Sequence, residues 1–151
     1  MPRVSLLDVN VLVALFDPDH VHHDLAHDWF EDSGVQGWAT CAVTENGFVR
    51  VVSNPRYRPE APRPVEALDR LRRFCAGGGH QFWADAVSLR DTTLFDLNMA
   101  RGYRQLTDIY LLGVAHRMGG RLATFDRGIP LSAVRGARPQ TLAVISGPSD
   151  G

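Results

Sequence analysis

Four acidic side chains stand where predicted strands end or predicted helices begin. They are Asp8, Glu45, Asp108 and Asp126. Asp8 is the clearest of them, because the apolar segment Val4-Ser5-Leu6-Leu7 predicts a short strand that ends on this carboxylate. In an α/β sheet, ligands bind beyond the carboxyl ends of the strands, and carboxylates gathered there repel one another unless cations lie between them. Mg²⁺ and Mn²⁺ prefer such oxygen ligands, so the four acids are predicted to form a metal-dependent phosphodiesterase site.

Each of these acids also has a local explanation. Asp8 could cap the helix that follows it, and Asp108 could be a first-turn acid placed by the helix dipole. Asp126 could simply begin a turn. Their shared position at element ends favours metal ligation instead, and Thr124, two residues before Asp126, is predicted to hold a water molecule in the same site.

Strands and helices alternate along the whole chain. Strands are predicted for residues 4–7, 37–41, 81–84, 121–125 and 141–145. Helices are predicted after Asp8, for residues 22–32, after residue 41, and for residues 65–74, about 94–102 and 107–118, the last with Thr107 as its N-cap. This alternation predicts a parallel sheet of about five short strands with helices on both faces, an α/β/α arrangement. One domain is predicted for residues 1–145, followed by a disordered tail at 146–151.

Length and composition are those of an ordinary globular domain. The chain has 151 residues, 44% of them hydrophobic and 22% charged. No apolar run approaches the roughly 20 residues of a membrane helix. The segment Met1-Pro2-Arg3-Val4 does not resemble the start of a signal peptide, so a cytoplasmic location is predicted. The two cysteines form no CxxC spacing and are predicted to be buried thiols.

The charge balance excludes a uniformly basic nucleic-acid binder, because the net charge is −1. All 16 basic residues are arginines, for which codon bias is a simpler explanation than selection for phosphate binding. Arg50, Arg56 and Arg58 cluster near the end of the third predicted helix and in the proline-rich loop after it. Such loops often contact substrates, so these three arginines are candidates for RNA binding, although exposed arginines are often only solvated.

The acids and their neighbours occur in a recognisable order. Along the chain the order is Asp8-x-Asn10, Glu45, Thr107-Asp108 and Thr124-Phe125-Asp126-Arg127. This order resembles the PIN-domain nucleases, and within them the VapC toxins of bacterial toxin–antitoxin pairs, from about Leu6 to Ile129. The segments that resemble the mycobacterial-type branch are residues 20–29, Gly47-Phe48-Val49-Arg50, Ser53-Asn54-Pro55 and 123–127.

The resemblance implies a Mg²⁺- or Mn²⁺-dependent endoribonuclease that forms a homodimer and is inhibited by a VapB-like antitoxin. It places a small polar side chain at Asn10, which could also make a local hydrogen bond in the turn. The family's glutamate often lies about one helical turn further along than Glu45, where this chain has Gly47 and Phe48. Glu45 is nevertheless the only acid between Asp32 and Glu60, and it is kept as a ligand.

Other functions fit the same residues less well. An aspartate-nucleophile phosphatase would need a second acid where the chain has Asn10, and a lysine, of which there is none. An inactive PIN-like binding module stays open as an alternative. A zinc site among His20, His22, His23 and His27 lacks cysteine partners and an HExxH pattern, so a solvated helix face is predicted there.

Overall fold

The central element is a parallel sheet of five strands in the order β3-β2-β1-β4-β5. This computed structural model describes residues 3–84 and 86–147. The strands are β1 (Ser5–Leu7), β2 (Trp38–Cys41), β3 (His80–Trp83), β4 (Arg121–Thr124) and β5 (Leu142–Val144). The helices are α1 (Val9–Phe16), α2 (His23–Asp32), α3 (Ala42–Val52), α4 (Pro64–Cys75) and α5 (Leu106–Arg117). The predicted α/β/α fold with about five short parallel strands is confirmed.

Alternating side chains in the central strands build two separate cores. Leu6 of β1 and Leu122 of β4 point to one face, where they pack with apolar residues of α5. Leu7 and Ala123, their neighbours in sequence, point to the other face and pack with residues of α1 to α4. The central strands β1, β2 and β4 are covered on both faces, so buried residues follow one another along them, whereas the edge strand β3 exposes Gln81 and Phe82.

The strand order reverses direction at β1. From β1 the chain proceeds to β2 and β3 on one side, and it then crosses to β4 on the other side of β1. A right-handed connection in the opposite direction places its helix on the opposite face, which is why α5 lies apart from α1 to α4. The carboxyl ends of β1 and β4 therefore flank the switch point of the sheet, where α/β proteins bind their ligands.

Helix α3 approaches α1 very closely at Gly47. A Cβ atom added to Gly47 would lie 2.6 Å from Cγ2 of Val9, closer than real contacts allow. The next residue, Phe48, is fully buried, and its ring centroid lies 4.7 Å from that of Phe16. A glutamate at Gly47 would collide with Val9, and one at Phe48 would place a charge in the core. The acid of α3 is instead Glu45, in the first turn of the helix.

Two local predictions are wrong. Residues 94–102 form no α-helix, because the Asp96 amide donates to the Ala133 carbonyl and the Leu94 carbonyl accepts from Arg135, which fixes the segment to a distant one. Only a short 3₁₀ turn, Leu97–Met99, remains helical. Helix α5 begins one residue earlier than predicted, so Thr107 lies within its first turn and Gln105 is the N-cap.

Of the predicted tail, residues 148–151 lie outside the described residues. Within the described ranges, every helix is too short or too polar to cross a membrane.

Candidate active site

Asp8 lies at the carboxyl end of β1 with both carboxylate oxygens engaged. The backbone N–H of Val9 donates to Oδ1 at 2.7 Å, and the hydroxyl of Thr124 donates to Oδ2 at 2.9 Å. The side chain is also buried, with 7% of its surface exposed. Burial raises the pKa of Asp8, and the two hydrogen bonds offset part of that increase. Asp8 therefore caps α1, as its local explanation predicted, and it does so from within the switch point of the sheet.

Thr124 joins the ends of the two central strands. Its hydroxyl donates to Asp8 and accepts from the backbone N–H of Asp126 at 3.1 Å. The side chain is fully buried, so both bonds are shielded from water. One hydroxyl thus fixes the orientation of Asp8 and the start of the turn that bears Asp126.

Asp108 reaches the same place from the other face of the sheet. It lies in the first turn of α5 and is half-buried. Burial, together with the charges of Asp8 and Asp126, raises the pKa of Asp108 to about 6. A carboxyl group whose ionisation is opposed by two other carboxylates lies in an electrostatic environment that favours a cation.

Asp126 is the most exposed acid of this group, which we call the aspartate trio (Asp8, Asp108 and Asp126). Its Oδ1 accepts from the backbone N–H of Gly128 at 2.7 Å, so it does begin a turn. The charge of Asp126 nevertheless raises the pKa of both other members. Turn formation and membership of the trio are therefore compatible, because one carboxylate oxygen suffices for the turn.

The residues of the trio fit a hard divalent cation. All of the donor atoms are carboxylate oxygens, and their charges oppose one another. The backbones of Asp8 and Asp126 are held by hydrogen bonds to Ala123 and Thr124, so two of the three carboxylates extend from a fixed backbone. A cation of the Mg²⁺ or Mn²⁺ type would offset both causes of the raised pKa of Asp108, the burial of its charge and the repulsion by Asp8 and Asp126.

Glu45 faces a different set of neighbours. Thr40 donates its hydroxyl hydrogen to Oε2 of Glu45 at 2.6 Å. The same hydroxyl lies 2.8 Å from Nε2 of His80. The charge of Glu45 contributes to the pKa of Cys75 and of His80. The carboxylates that contribute to the pKa of Asp108 are those of Asp8 and Asp126. The structure thus brings together three of the four predicted acids and places the fourth in a second cluster.

Sequence analysis did not identify the partners of Glu45 in that cluster. Cys75 was predicted to be an ordinary buried thiol, and His80 received no role. They are five residues apart across a glycine-rich turn, a spacing too common to indicate a site by itself. The pairing of β3 with β2, in which His80 lies opposite Trp38, and the packing of α4 against α3 bring them to Glu45.

The other predicted site residues are distributed around the edge of the domain. Asn10 is exposed in the first turn of α1, and Arg50 and Arg56 are exposed on α3 and in the loop after it. Arg58 forms ion pairs with Asp17 and, at 3.3 Å, with Asp19. Arg58 therefore holds the loop against the end of α1 in this structure.

Two of the histidines have a structural role. Nδ1 of His23 lies 2.7 Å from the carbonyl oxygen of Ala14, and Nε2 of His27 lies 2.8 Å from that of Leu15. The last carbonyls of a helix have no partner within it, so these rings satisfy the end of α1. This contact corrects the predicted solvated face, because these two rings pack on α1.

Comparisons with known proteins match almost the whole chain. A family model described as the PIN domain matches residues 5–135. Ribonuclease VapC44 of Mycobacterium tuberculosis is 46% identical over 141 residues, which cover 93% of this chain and 99% of that protein. Ribonuclease VapC38 of the same species is 47% identical over 138 residues, covering 91% and 94%. Ribonuclease VapC39 is 42% identical over 132 residues, covering 87% and 95%. The family match includes every acid of the trio.

Proposed function

Because this chain belongs to the PIN-domain family and strongly resembles ribonucleases of the VapC group, we propose that it is an endoribonuclease and the toxin of a toxin–antitoxin pair. The family predicted from the order of the acids is confirmed by the match. The observation that best supports nuclease chemistry in this chain is the aspartate trio, in which burial and the charges of the neighbouring carboxylates raise the pKa of Asp108 to about 6 at the switch point of the sheet.

Within this proposal the trio holds a divalent cation, Mg²⁺ or Mn²⁺. Such a cation, when bound, neutralises charge on the scissile phosphate and lowers the pKa of water. Asp8 supplies an oxygen that Thr124 and the Val9 amide have already oriented, which reduces the reorganisation that binding requires. Asp108 and Asp126 approach from α5 and from the turn after β4, so the three carboxylates converge from different elements.

The remaining predicted residues keep narrower roles in the proposal. Thr124 positions Asp8 and Asp126, and its predicted contact with water stays a prediction. Asn10 is exposed beside Asp8 on α1 and is proposed to orient substrate or water there. Arg50 and Arg56 are exposed and are proposed to contact RNA phosphates, whereas Arg58 is held by Asp17. Glu45 is proposed as a supporting acid and not as a direct ligand in the trio, because its carboxylate accepts a hydrogen bond from Thr40.

The proposed partners follow from the same site. An antitoxin of the VapB type would inhibit the enzyme if one of its basic side chains entered the trio and replaced the cation. A homodimer and a cytoplasmic location are proposed from the family resemblance and the sequence, respectively.

The direct test is cleavage of RNA by the purified chain. We expect cleavage with Mg²⁺ or Mn²⁺, loss of cleavage with a chelator, and recovery when the cation is restored. Asp8→Asn should be inactive and folded, and Asp28→Asn, at an exposed position of α2, serves as the matched control. Cleavage by Asp8→Asn within about tenfold of the unmodified chain, with contaminating nuclease excluded, would remove Asp8 from the site.

Growth distinguishes the toxin from an inactive binding module. Expression of the unmodified chain should arrest growth, and Asp8→Asn should be harmless. Co-expression with a small neighbouring gene that encodes a DNA-binding protein should restore growth. Normal growth during strong expression of soluble, unmodified protein would favour the binding module.

A further inference from the structure

A second group of metal-binding side chains lies between α3, α4 and β3. Glu45, Cys75 and His80 each offer one ligand atom, and these atoms all lie within 4.8 Å of one another. All three side chains are half-buried, so they are shielded in part but remain accessible to an ion. Glu45 lies in the first turn of α3, Cys75 ends α4, and His80 begins β3.

The turn between α4 and β3 brings two of these ligands together. Gly78 and Gly79 have φ values of 101° and 76°, a left-handed conformation that favours glycine. The chain therefore reverses within four residues, and His80 returns to the level of Cys75. The pairing of His80 with Trp38 then fixes the histidine beside β2, where Thr40 lies.

Thr40 orients the two other ligands through one buried hydroxyl group. The hydroxyl donates its hydrogen to Oε2 of Glu45 at 2.6 Å. Nε2 of His80 lies 2.8 Å from the Thr40 hydroxyl oxygen, and because that hydroxyl has no second hydrogen, Nε2 must be the donor in the contact between His80 and Thr40. Nε2 therefore holds the ring hydrogen, and the lone pair of His80 is on Nδ1. Ligating histidines commonly use one ring nitrogen for the metal and donate the other N–H to a neighbouring oxygen.

The donor set differs from that of the aspartate trio. Thiolate sulfur and imidazole nitrogen select borderline cations such as Zn²⁺, whereas Mg²⁺ prefers oxygen alone. In a tetrahedral zinc site with Zn–S near 2.3 Å and Zn–N near 2.0 Å, the ligand atoms are roughly 3.6 Å apart. Because the three atoms already lie within 4.8 Å of one another, each pair needs to approach by no more than about 1.2 Å.

We propose that Glu45, Cys75 and His80 form a second metal site that binds Zn²⁺ or a similar borderline cation. On binding, the Cys75 thiol loses its proton to solvent and sulfur donates to the ion. The position that the three side chains leave open is available to water or to another ligand. None of the proposed site's ligands belongs to the aspartate trio, so Zn²⁺ binding here and RNA cleavage at the trio can be measured separately.

The test uses the full, metal-free chain with Co²⁺ as an optical probe and Zn²⁺ as the competitor. We expect the absorption of a cobalt–thiolate bond, which Zn²⁺ removes and a large excess of Mg²⁺ does not. Cys75→Ser should abolish this absorption and weaken Zn²⁺ binding at least about a hundredfold, while Cys41→Ala, which removes the other thiol, should retain both. Thr40→Val, which keeps the side-chain shape, should weaken Zn²⁺ binding about 10- to 100-fold.

Several outcomes would overturn the proposal. They include failure of the folded chain to bind Co²⁺ or Zn²⁺, a thiolate absorption that persists in Cys75→Ser, and Zn²⁺ binding that requires Asp108. The two proposals can be tested independently, because Asp108→Asn should lose RNA cleavage and still bind Zn²⁺ at the Glu45 cluster.

Discussion

The chain presents two groups of potential metal ligands that differ in chemistry and in position. The aspartate trio combines three carboxylates from β1, α5 and the turn after β4, at the switch point of the sheet. The Glu45 cluster combines a carboxylate, a thiol and an imidazole from α3, α4 and β3. In the trio, burial and like charges raise the pKa of Asp108 to about 6. In the cluster, the largest cause of the raised Cys75 pKa, about 11, is burial.

This difference shows how one sheet can separate two cation classes. Crowded carboxylates repel one another and bind a hard cation through charge. In the Glu45 cluster the thiol stays protonated and neutral until a softer cation binds and displaces its proton. The single hydroxyl of Thr124 supports the first group and that of Thr40 supports the second. Each group therefore has its own orienting residue, and single substitutions can separate them.

The largest expected effect is the loss of RNA cleavage on removing one charge from the trio. Asp108→Asn should reduce the cleavage rate at least about a hundredfold, because the amide is a much weaker ligand for a hard cation. The measurement is initial rate at saturating Mg²⁺, with circular dichroism to verify folding and Asp28→Asn as the control. A rate within tenfold of the unmodified chain would show that the trio is not the catalytic centre.

A smaller effect is expected from removing the hydroxyl that joins β1 to β4. Thr124→Val retains the side-chain shape but leaves Oδ2 of Asp8 without its hydrogen-bond donor, so cleavage should fall about 10- to 100-fold. Thr40→Val is the matched change at the other hydroxyl and should leave cleavage within a few fold. If the two variants lost equal activity, the two groups would not be functionally separate.

The third prediction concerns the metal-free protein and pH. Folding raises the pKa of Asp108 from about 3.9 to about 6, so between these values the folded state holds a proton that the unfolded state has released. Stability therefore falls as pH rises through this window, and the penalty is fully present above pH 6. Asp108→Asn should be more stable than the unmodified chain by about 1–3 kcal/mol at pH 7.5, and by little near pH 4.

Chemical denaturation with a chelator present, at both pH values, measures this difference. Addition of Mg²⁺ at a hundred times its dissociation constant should reverse it by stabilising the unmodified chain by about 2.7 kcal/mol. An Asp108→Asn variant that is less stable at both pH values would mean that the burial of the Asp108 charge and its repulsion by the other carboxylates do not destabilise the fold.

The smallest effect on cleavage is expected for Glu45. Glu45→Gln should reduce cleavage by less than about tenfold, because its carboxylate is bonded to Thr40 and faces the second cluster. The same variant should weaken Zn²⁺ binding more strongly than it weakens cleavage. A loss of cleavage as large as that of Asp108→Asn would instead make Glu45 the fourth member of the catalytic site.

Much of the site could be predicted because strand-terminal acids are local features of the sequence. A short apolar strand followed by Asp8, and another followed by Asp126, indicated both the elements and the edge at which they meet. Residues 94–102 were mispredicted as a helix, since hydrogen bonds to Ala133 and Arg135 override their local preference. Such long-range bonds leave no periodic signal in the segment itself.

The sequence alone determined the α/β class, the parallel sheet and the acids at the strand ends, because apolar periodicity and chain order are local properties. Only the tertiary structure decided which acids act on one another. The strand order places Asp8 beside Asp126, with Asp108 arriving from the opposite face. The tertiary structure also places Glu45 next to Cys75 and His80. This follows because β3 pairs with β2 and because the close contact at Gly47 fixes how α3 lies against α1. Neighbours across a sheet depend on the path of the whole chain, and no local pattern specifies that path.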